Sequence, residues 1–515
     1  MAWGVLGVMA LSVRLVGIRH GEPDLIFHPD VSKQASVARD AYAKIQFRYV
    51  NRFKCDTPLA LYPYGHSILL AKSLRVLKPV LSWAGLDRTR LRHASRWEWA
   101  FLLRISSLFW ALAALAAFGR WAWPGAGWGA RFLAAGLLAM EPLNAYYSHY
   151  GMNDVPLAAF LMLAWLAAAG MENDDARIPW RSLACGWLLG AAFGIKYQAV
   201  LGGALPAAAW ILAFRRKSPA WRVVTVLAVA AGALAGVWMT CPAIRQPAFF
   251  AEHFPEFMAW QANIMGQSYT LAEKTWRNLL LLARFSWRHG YGVLLIPWVV
   301  VLARLVRREL PRPVARLTVT GAVFSAAGLA VLICSRDFLR SNDLLMLTPF
   351  WIWPAGWMGA GLGPRSARWA VPGMLSALLG VWMVTACLDS LALRRPDTQI
   401  LARDWCEAHL PPGSRVIFER YTVKARRSDV EGLQVPYLGR LLEAKGSEVA
   451  TGRYLVVSSL ACDRFFDPYT PYYCERVQAA YLGIEASHGR VAEFRDRTMW
   501  YAQPHIRIYA PKEAK

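Results

Sequence analysis

The side chains able to do chemistry fall at the ends of apolar segments. Phe27-His28-Pro29-Asp30 follows a first apolar stretch and carries a carboxylate, Asp30, placed at a membrane surface. A second stretch, from Tyr146-Tyr147-Ser148-His149 to Asn153-Asp154-Val155-Pro156, carries an imidazole and another carboxylate between two apolar runs. Asp154 before Val155-Pro156 also suits a helix start, since a short carboxylate and a proline both favour the first turn. Lys196 closes a further apolar run and reads either as a lysine snorkelling to the interface or as a phosphate contact. These groups can act together only if the scaffold delivers them to one side of a bilayer.

The scaffold is strongly apolar. At 515 residues, 56% hydrophobic and with 25 Trp, the chain has more apolar surface than a soluble core of this size needs, which makes it a polytopic membrane protein. The net charge of +24 sits in short hydrophilic stretches between apolar runs, where anionic headgroups and the positive-inside bias place it, so nucleic acid is not an expected partner. Cys185, Cys241, Cys334 and Cys387 lie in apolar runs as packing residues, whereas Cys462 and Cys474 can pair if their polar region is exported. There is no CxxC and no His-rich metal spacing.

Eleven spans are expected: 1–18, 99–118, 130–146, 155–171, 183–195, 199–214, 223–239, 291–306, 317–333, 344–363 and 369–391. The stretch 59–83 is left out, because Lys72, Arg75 and Lys78 each cost about 2.5–3.5 kcal/mol near a bilayer centre, while each aliphatic returns only about 0.3–0.6. Its charges recur every third residue and Leu70, Leu74, Leu77 and Leu81 line another face, the pattern of a helix lying on the membrane surface. With the N-terminus inside, the loops 19–98, 147–154, 242–289 and 335–343 then face outward, and Asp30 and Asp154 share a compartment. An odd number of crossings puts the C-terminus outside as well. Composition shifts after Arg394-Arg395-Pro396: residues 1–395 form the helical membrane domain and 396–515 a small α/β module. That module is read as a helix over 397–409, a Pro411-Pro412-Gly413 stop, strands at 415–421, 454–458 and 506–510, and helices near 436 and 475.

Read in order, these motifs resemble a known family. Phe27-His28-Pro29-Asp30, Tyr62-Pro63-Tyr64, Leu103-Arg104-Ile105-Ser106-Ser107, Pro142 through His149 to Asp154-Val155-Pro156, and Gly194-Ile195-Lys196-Tyr197 follow one another as in bacterial GT-C glycosyltransferases. The branch they resemble includes the protein O-mannosyltransferases and the aminoarabinose transferase of lipid A. The tail is similar too, through Asp397-Thr398, Trp405, Pro411-Pro412-Gly413-Ser414-Arg415-Val416 and Asp463-Arg464-Phe465. Order and spacing make the resemblance specific for the superfamily, not for a substrate.

The resemblance implies a sugar moved from a polyprenyl-phosphate carrier to a lipid, glycan or protein acceptor, on the outer face of the cytoplasmic membrane, with inversion. Such a reaction needs a base for the acceptor hydroxyl, and Asp30 is the expected one. It also needs positive charge on the departing lipid phosphate, for which Lys196 and Arg104 are expected, with Arg340 a third. His149 and Asp154 would shape the acceptor side or orient the first loop, and Tyr62 and Tyr64 belong to the substrate-binding set. Two departures stand out. Val31 follows Asp30 where many relatives carry an Asp-Glu pair, which disfavours a divalent metal, and Asn342-Asp343 occupies the place of an Arg-Tyr pair. A transporter or flippase of lipid-linked substrates is the competing reading, and would put ionisable residues near the bilayer midplane. A catalytically dead scaffold is a third.

Overall fold

The computed structural model describes residues 2–21, 29–43, 64–77, 79, 88–122, 127–174, 179–214, 216–245, 247–262, 270–336, 339–358, 367–468, 472–496 and 503–512. Phe27, His28 and Tyr62 lie outside the described residues, as does the side chain of Asp30. The chain divides into two compact units: Met1–Ile18, His28–Ile264 and Ser268–Cys387 form the first, and Arg19–Phe27, Met265–Gln267 and Leu388–Lys515 the second.

Six helical segments among the described residues of the chain are long and apolar enough to cross a membrane: Arg96–Trp121, Asp154–Asn173, Tyr197–Phe214, Pro219–Thr240, Arg312–Ser335 and Ala370–Ala392. Shorter helices cover the other stretches read as spans, among them Ala2–Leu15, Trp128–Met140, Trp180–Ile195 and Leu295–Val306. Three departures from the sequence reading have physical causes. The run 130–146 is broken at Glu141: Pro142 has no N–H to continue the ladder, and the Glu141 carboxylate accepts from the amides of Leu143 and Asn144 at 3.0 and 2.6 Å to start the helix Pro142–Ser148. Arg14 supports the break, donating to Ala139 O at 2.8 Å and Asn144 Oδ1 at 2.9 Å, while the Tyr291 hydroxyl donates to Glu141. A buried carboxylate and guanidinium are tolerated because they are hydrogen-bonded to each other's surroundings.

The second departure concerns 59–83. It supplies the helix Gly65–Val76, too short to cross at 12 residues, about 18 Å. Its Leu70 and Leu74 are buried against protein, not turned to lipid. Lys72 donates to Met239 O at 2.6 Å and Arg75 to Tyr42 O at 3.0 Å, each in the last turn of another helix. Carbonyl-rich helix ends satisfy the charges that were expected to seek headgroups. Third, the stretch 242–289, expected as an outer loop, includes the helices Pro247–Ala262 and Leu271–His289.

The tightest packing in the bundle joins Trp180–Ile195 to Pro219–Thr240. Gly186, Gly190 and Gly194, four residues apart, face Gly232 and Gly236 of the other helix. A Cβ on Gly190 would meet Ala233 O at 2.1 Å, and one on Gly236 would meet Trp187 O at 2.3 Å. This is the small-residue seam by which membrane helices bring their backbones together. It fixes the end of Trp180–Ile195, where the next residue is Lys196.

The second unit contains a five-stranded sheet ordered β2-β1-β3-β5-β4, with β1 (Arg415–Glu419), β2 (Glu431–Val435) and β3 (Tyr454–Ser458) parallel, and β4 (His488–Phe494) and β5 (Ile506–Pro511) antiparallel to their neighbours. Alternate strand residues feed two cores. Ile417, Leu455 and Val457 meet the helices Leu438–Lys445 and Glu475–Ser487, whereas Val416, Phe418 and Val456 meet Thr398–His409. At the end of β1, buried Glu419 accepts from the amides of Leu438 and Ser458 and from the Tyr481 hydroxyl, and burial pushes its carboxyl up to about 7. Cys462 and Cys474 are free thiols against the first of these cores.

Gly190→Ala is expected to lower the melting temperature or abolish recovery of monodisperse protein, since the added methyl meets backbone that cannot rotate away. Gly203→Ala, where a Cβ meets nothing within 4 Å, is the control and should leave both unchanged. Thermal unfolding of the two purified variants measures the difference.

Candidate functional site

Three helix ends converge on one cluster of charges. Asp154 is the first residue of Asp154–Gly170, so its carboxylate sits at the positive end of that helix; Asn153 occupies the cap position and donates to Ile195 O at 2.9 Å. Lys196 follows the last residue of Trp180–Ile195, and Arg336 follows the last residue of Arg312–Ser335, both at negative helix ends. The Lys196 ammonium lies 2.7 Å from Asp154 Oδ1 and 3.5 Å from Asp343 Oδ1. Arg336 and Arg340 reach the two oxygens of Asp343 at 3.3 Å each, and Gln198 donates to Oδ1 at 3.4 Å. Asn342 donates to Asp154 at 3.3 Å, and the Tyr147 and Ser341 hydroxyls are 3.1 Å apart, so the loops 147–154 and 335–343 are joined twice.

The arrangement has a direction. The carboxylates of Asp154 and Asp343 are 3% and 0% exposed, while Lys196, Arg336 and Arg340 are 18%, 20% and 38% exposed. Buried anions thus hold cations that keep accessible surface, and among the described residues three cations meet two carboxylates here. Burial lifts the Asp343 carboxyl, but Arg336, Arg340 and Lys196 together hold it well below the usual carboxylate range. Such a cluster can receive an anion from the open side.

The other sequence-derived residues are placed as follows. Asp30 is the second residue of the helix Pro29–Tyr42. That helix packs beside Gly65–Val76 in the same direction, with Val37 against Tyr64 and Ile68, and Tyr42 against Arg75. Its first turn therefore lies toward the Gly65 end, and a Cβ on Gly65 would meet the Gly194 carbonyl carbon at 2.4 Å, two residues from Lys196. Tyr64 is buried in the cluster with Val37 and Ile68. Arg104 is 1% exposed and donates to Ile18 O at 2.7 Å. Its backbone lies against Gly151, which has a φ of 67° and where a Cβ would also stand 2.9 Å from the Arg104 amide nitrogen. His149 is also buried, with Nε2 2.9 Å from Val16 O and Nδ1 3.0 Å from Ala145 O, contacts that hold the end of the short helix Pro142–Ser148 in place.

Sequence reasoning passed over three residues. Asp343 and Arg336 were visible only as charges in a loop between two apolar runs. Asn278 gave no signal by type or spacing, yet it is fully buried on Leu271–His289, donates to Ile333 O and Arg336 O at 2.8 Å each, and accepts from the Leu339 amide at 2.7 Å. It bolts down the loop that carries Arg336, Arg340 and Asp343. Among the described residues, no three His, Cys, Asp or Glu side chains group as metal ligands.

No family model and no curated protein matches the chain. Among solved structures, it is similar to ArnT from Cupriavidus metallidurans bound to undecaprenyl phosphate, at 14% identity and a TM-score of 0.46, over 99% of this chain and 98% of that one. The apo state of the same protein gives 15% identity and a TM-score of 0.46, over 99% and 97% of the two chains. The Archaeoglobus fulgidus oligosaccharyltransferase gives 11% identity and a TM-score of 0.45, over 98% of this chain and 74% of that one. Likenesses at this level leave function to be argued from the chain's own residues.

Asp343→Asn removes the carboxylate that Lys196, Arg336 and Arg340 share and should cost about 3–5 kcal/mol of stability at neutral pH. Because the native carboxyl is held below its unfolded value of about 3.9, its contribution is present above that pH and is lost only as pH falls through the lower folded value. Thermal unfolding of wild type and variant should therefore show a gap that stays constant from about pH 7 to about pH 5.

Proposed function

We propose that the chain is a membrane glycosyltransferase that moves a sugar from a polyprenyl-phosphate carrier to a lipid, glycan or protein hydroxyl at the outer face of the cytoplasmic membrane. The observation that carries the reading is the rim of Lys196, Arg336 and Arg340 held open over buried Asp154 and Asp343. In the transfer, the acceptor oxygen bonds to the anomeric carbon from the side opposite the phosphate, the bond from that carbon to the phosphate oxygen breaks, and the acceptor proton passes to Asp30. The carrier phosphate gains one negative charge as it leaves. Lys196, Arg336 and Arg340 meet that growing charge, which stabilises the transition state more than the bound donor.

Asp30 is the base in this reading. Support comes from the placement of its helix: the first turn of Pro29–Tyr42 lies toward the end of the helix pair that abuts Gly194 and Ile195, the residues before Lys196. Asp154 keeps the Lys196 ammonium in place, and Arg104 and His149 support the loop bearing Asp154. Arg14 and Glu141 are the buried ionisable pair that a flippase reading would look for, but both are spent on holding a helix break.

In reconstituted protein, Asp30→Asn should lower sugar transfer by at least about 100-fold, the usual loss on removing a general base, while polyprenyl-phosphate binding persists. Lys196→Gln should instead weaken polyprenyl-phosphate binding by about tenfold or more, the worth of a hydrogen bond to a charged group, with Lys196→Arg recovering part of it. A fully active Asp30→Asn variant contradicts the assignment. Lipid flipping without transfer, unaffected by loss of Asp30, would establish the transporter instead.

A further inference from the structure

The helix Leu271–His289 is built for a place between water and lipid. Thr270 and Glu273 form a reciprocal cap at its start, and Gly290, at φ 72°, ends it. The chain then turns by 94° into Tyr291–Val306, so the two segments cannot both run along the bilayer normal. The bend is fixed from inside: Tyr291 stacks on Phe285 at 5.1 Å and packs against Trp382 at 5.1 Å. At 19 residues, about 28 Å, the helix has the length to cross, but Glu273, Lys274, Arg277, Arg284 and Arg288 are spread along it.

Its faces are sharply divided. Asn278 and His289 are buried. On another side, Ala272, Trp276, Leu279, Ala283 and Trp287 recur every three or four residues and are exposed, Trp276 to 65% and Trp287 to 90%. Arg284 and Arg288 are exposed beside that apolar stripe, and the helix carries four basic side chains against a single acid, Glu273. A tryptophan-bearing stripe bordered by arginines matches the layering of acyl chains beneath phosphates.

We propose that this helix lies flat in the interface of the bilayer, with Trp276, Leu279, Ala283 and Trp287 among the upper acyl chains and Arg284 and Arg288 on the phosphates of anionic lipids. The occupant of the exposed face is the lipid surface. Through Asn278, which binds Ile333 O, Arg336 O and the Leu339 amide, the seating of the helix fixes the depth of the loop bearing Arg336, Arg340 and Asp343. The cations of the cluster are thereby held at the level of headgroup phosphates, whatever reaction they serve.

The test uses the full chain in nanodiscs, with native cysteines replaced and a nitroxide at Ala283 or, as an aqueous reference, at exposed Ser218. Collision with oxygen and with a water-soluble nickel complex reports depth. The expected result is a label at 283 that favours oxygen over nickel and lies about 5–10 Å below the headgroup boundary. A label at 283 as open to nickel as the one at 218 overturns the proposal, and so does one shielded from both reagents, as under a second copy of the chain. In a second measurement, phosphatidylglycerol nanodiscs should raise the melting temperature above that in phosphatidylcholine, and the R284Q/R288Q pair should reduce that increment by half or more. An unchanged increment overturns the assignment of these arginines to anionic headgroups.

Discussion

Burying a carboxylate is costly unless a cation shares the burial, and the first unit of this chain depends on meeting that condition twice over at one place. Asp154 and Asp343 come from loops nearly two hundred residues apart, and neither could lie so deep without Lys196, Arg336 and Arg340. The cations, being longer, keep their heads toward the open side. The result is a cluster whose floor is negative and whose rim is positive. Its position is set by backbone: the glycine seam between Trp180–Ile195 and Pro219–Thr240 decides where Lys196 emerges, and the start of Asp154–Gly170 decides where its partner stands.

The same logic of helix ends recurs through the bundle. Lys72 and Arg75 are satisfied by the terminal carbonyls of Pro219–Thr240 and Pro29–Tyr42, and Glu141 by the first amides of Pro142–Ser148. Where helices stop inside an apolar body, unpaired backbone groups need partners, and charged side chains provide them. These contacts close the structure internally. The cluster around Lys196 differs because its cations are paired with buried carboxylates and not with backbone carbonyls.

Much of this was legible in the sequence, and the reasons it was or was not are physical. Apolar runs bounded by charges marked out helical segments, and Asp154, Lys196 and Arg340, which the structure brings together, drew notice because each lies near the edge of an apolar run. Asp343 and Arg336 were not assigned to the site, since a charge in a loop acquires meaning only from its tertiary partner. Asn278 was invisible for the same reason. The helix Leu271–His289 was read as loop because its charges depress local hydropathy, although Thr270 and Glu273 at capping spacing and the recurrence of Trp276, Leu279, Ala283 and Trp287 would have marked it. In the second unit, β2 and β4 were missed: both are edge strands, largely open to solvent, and lack a buried alternation to betray them. Leu70 and Leu74 were assigned to lipid because an apolar stripe does not declare whether lipid or protein covers it.

The account stands on Asp30 and the charge cluster occupying one side of the membrane. The direct test is the reaction of single cysteines at exposed Lys33, on the first turn after Asp30, at Ser341 beside Asp343, and at exposed Ser218, with an impermeant thiol reagent in intact cells lacking the native cysteines. Labelling at 33 and 341 from outside, with 218 reacting only after the membrane is opened, is the predicted result. Labelling of 33 and 341 from opposite sides would separate the base from the anion receptor and contradict the account.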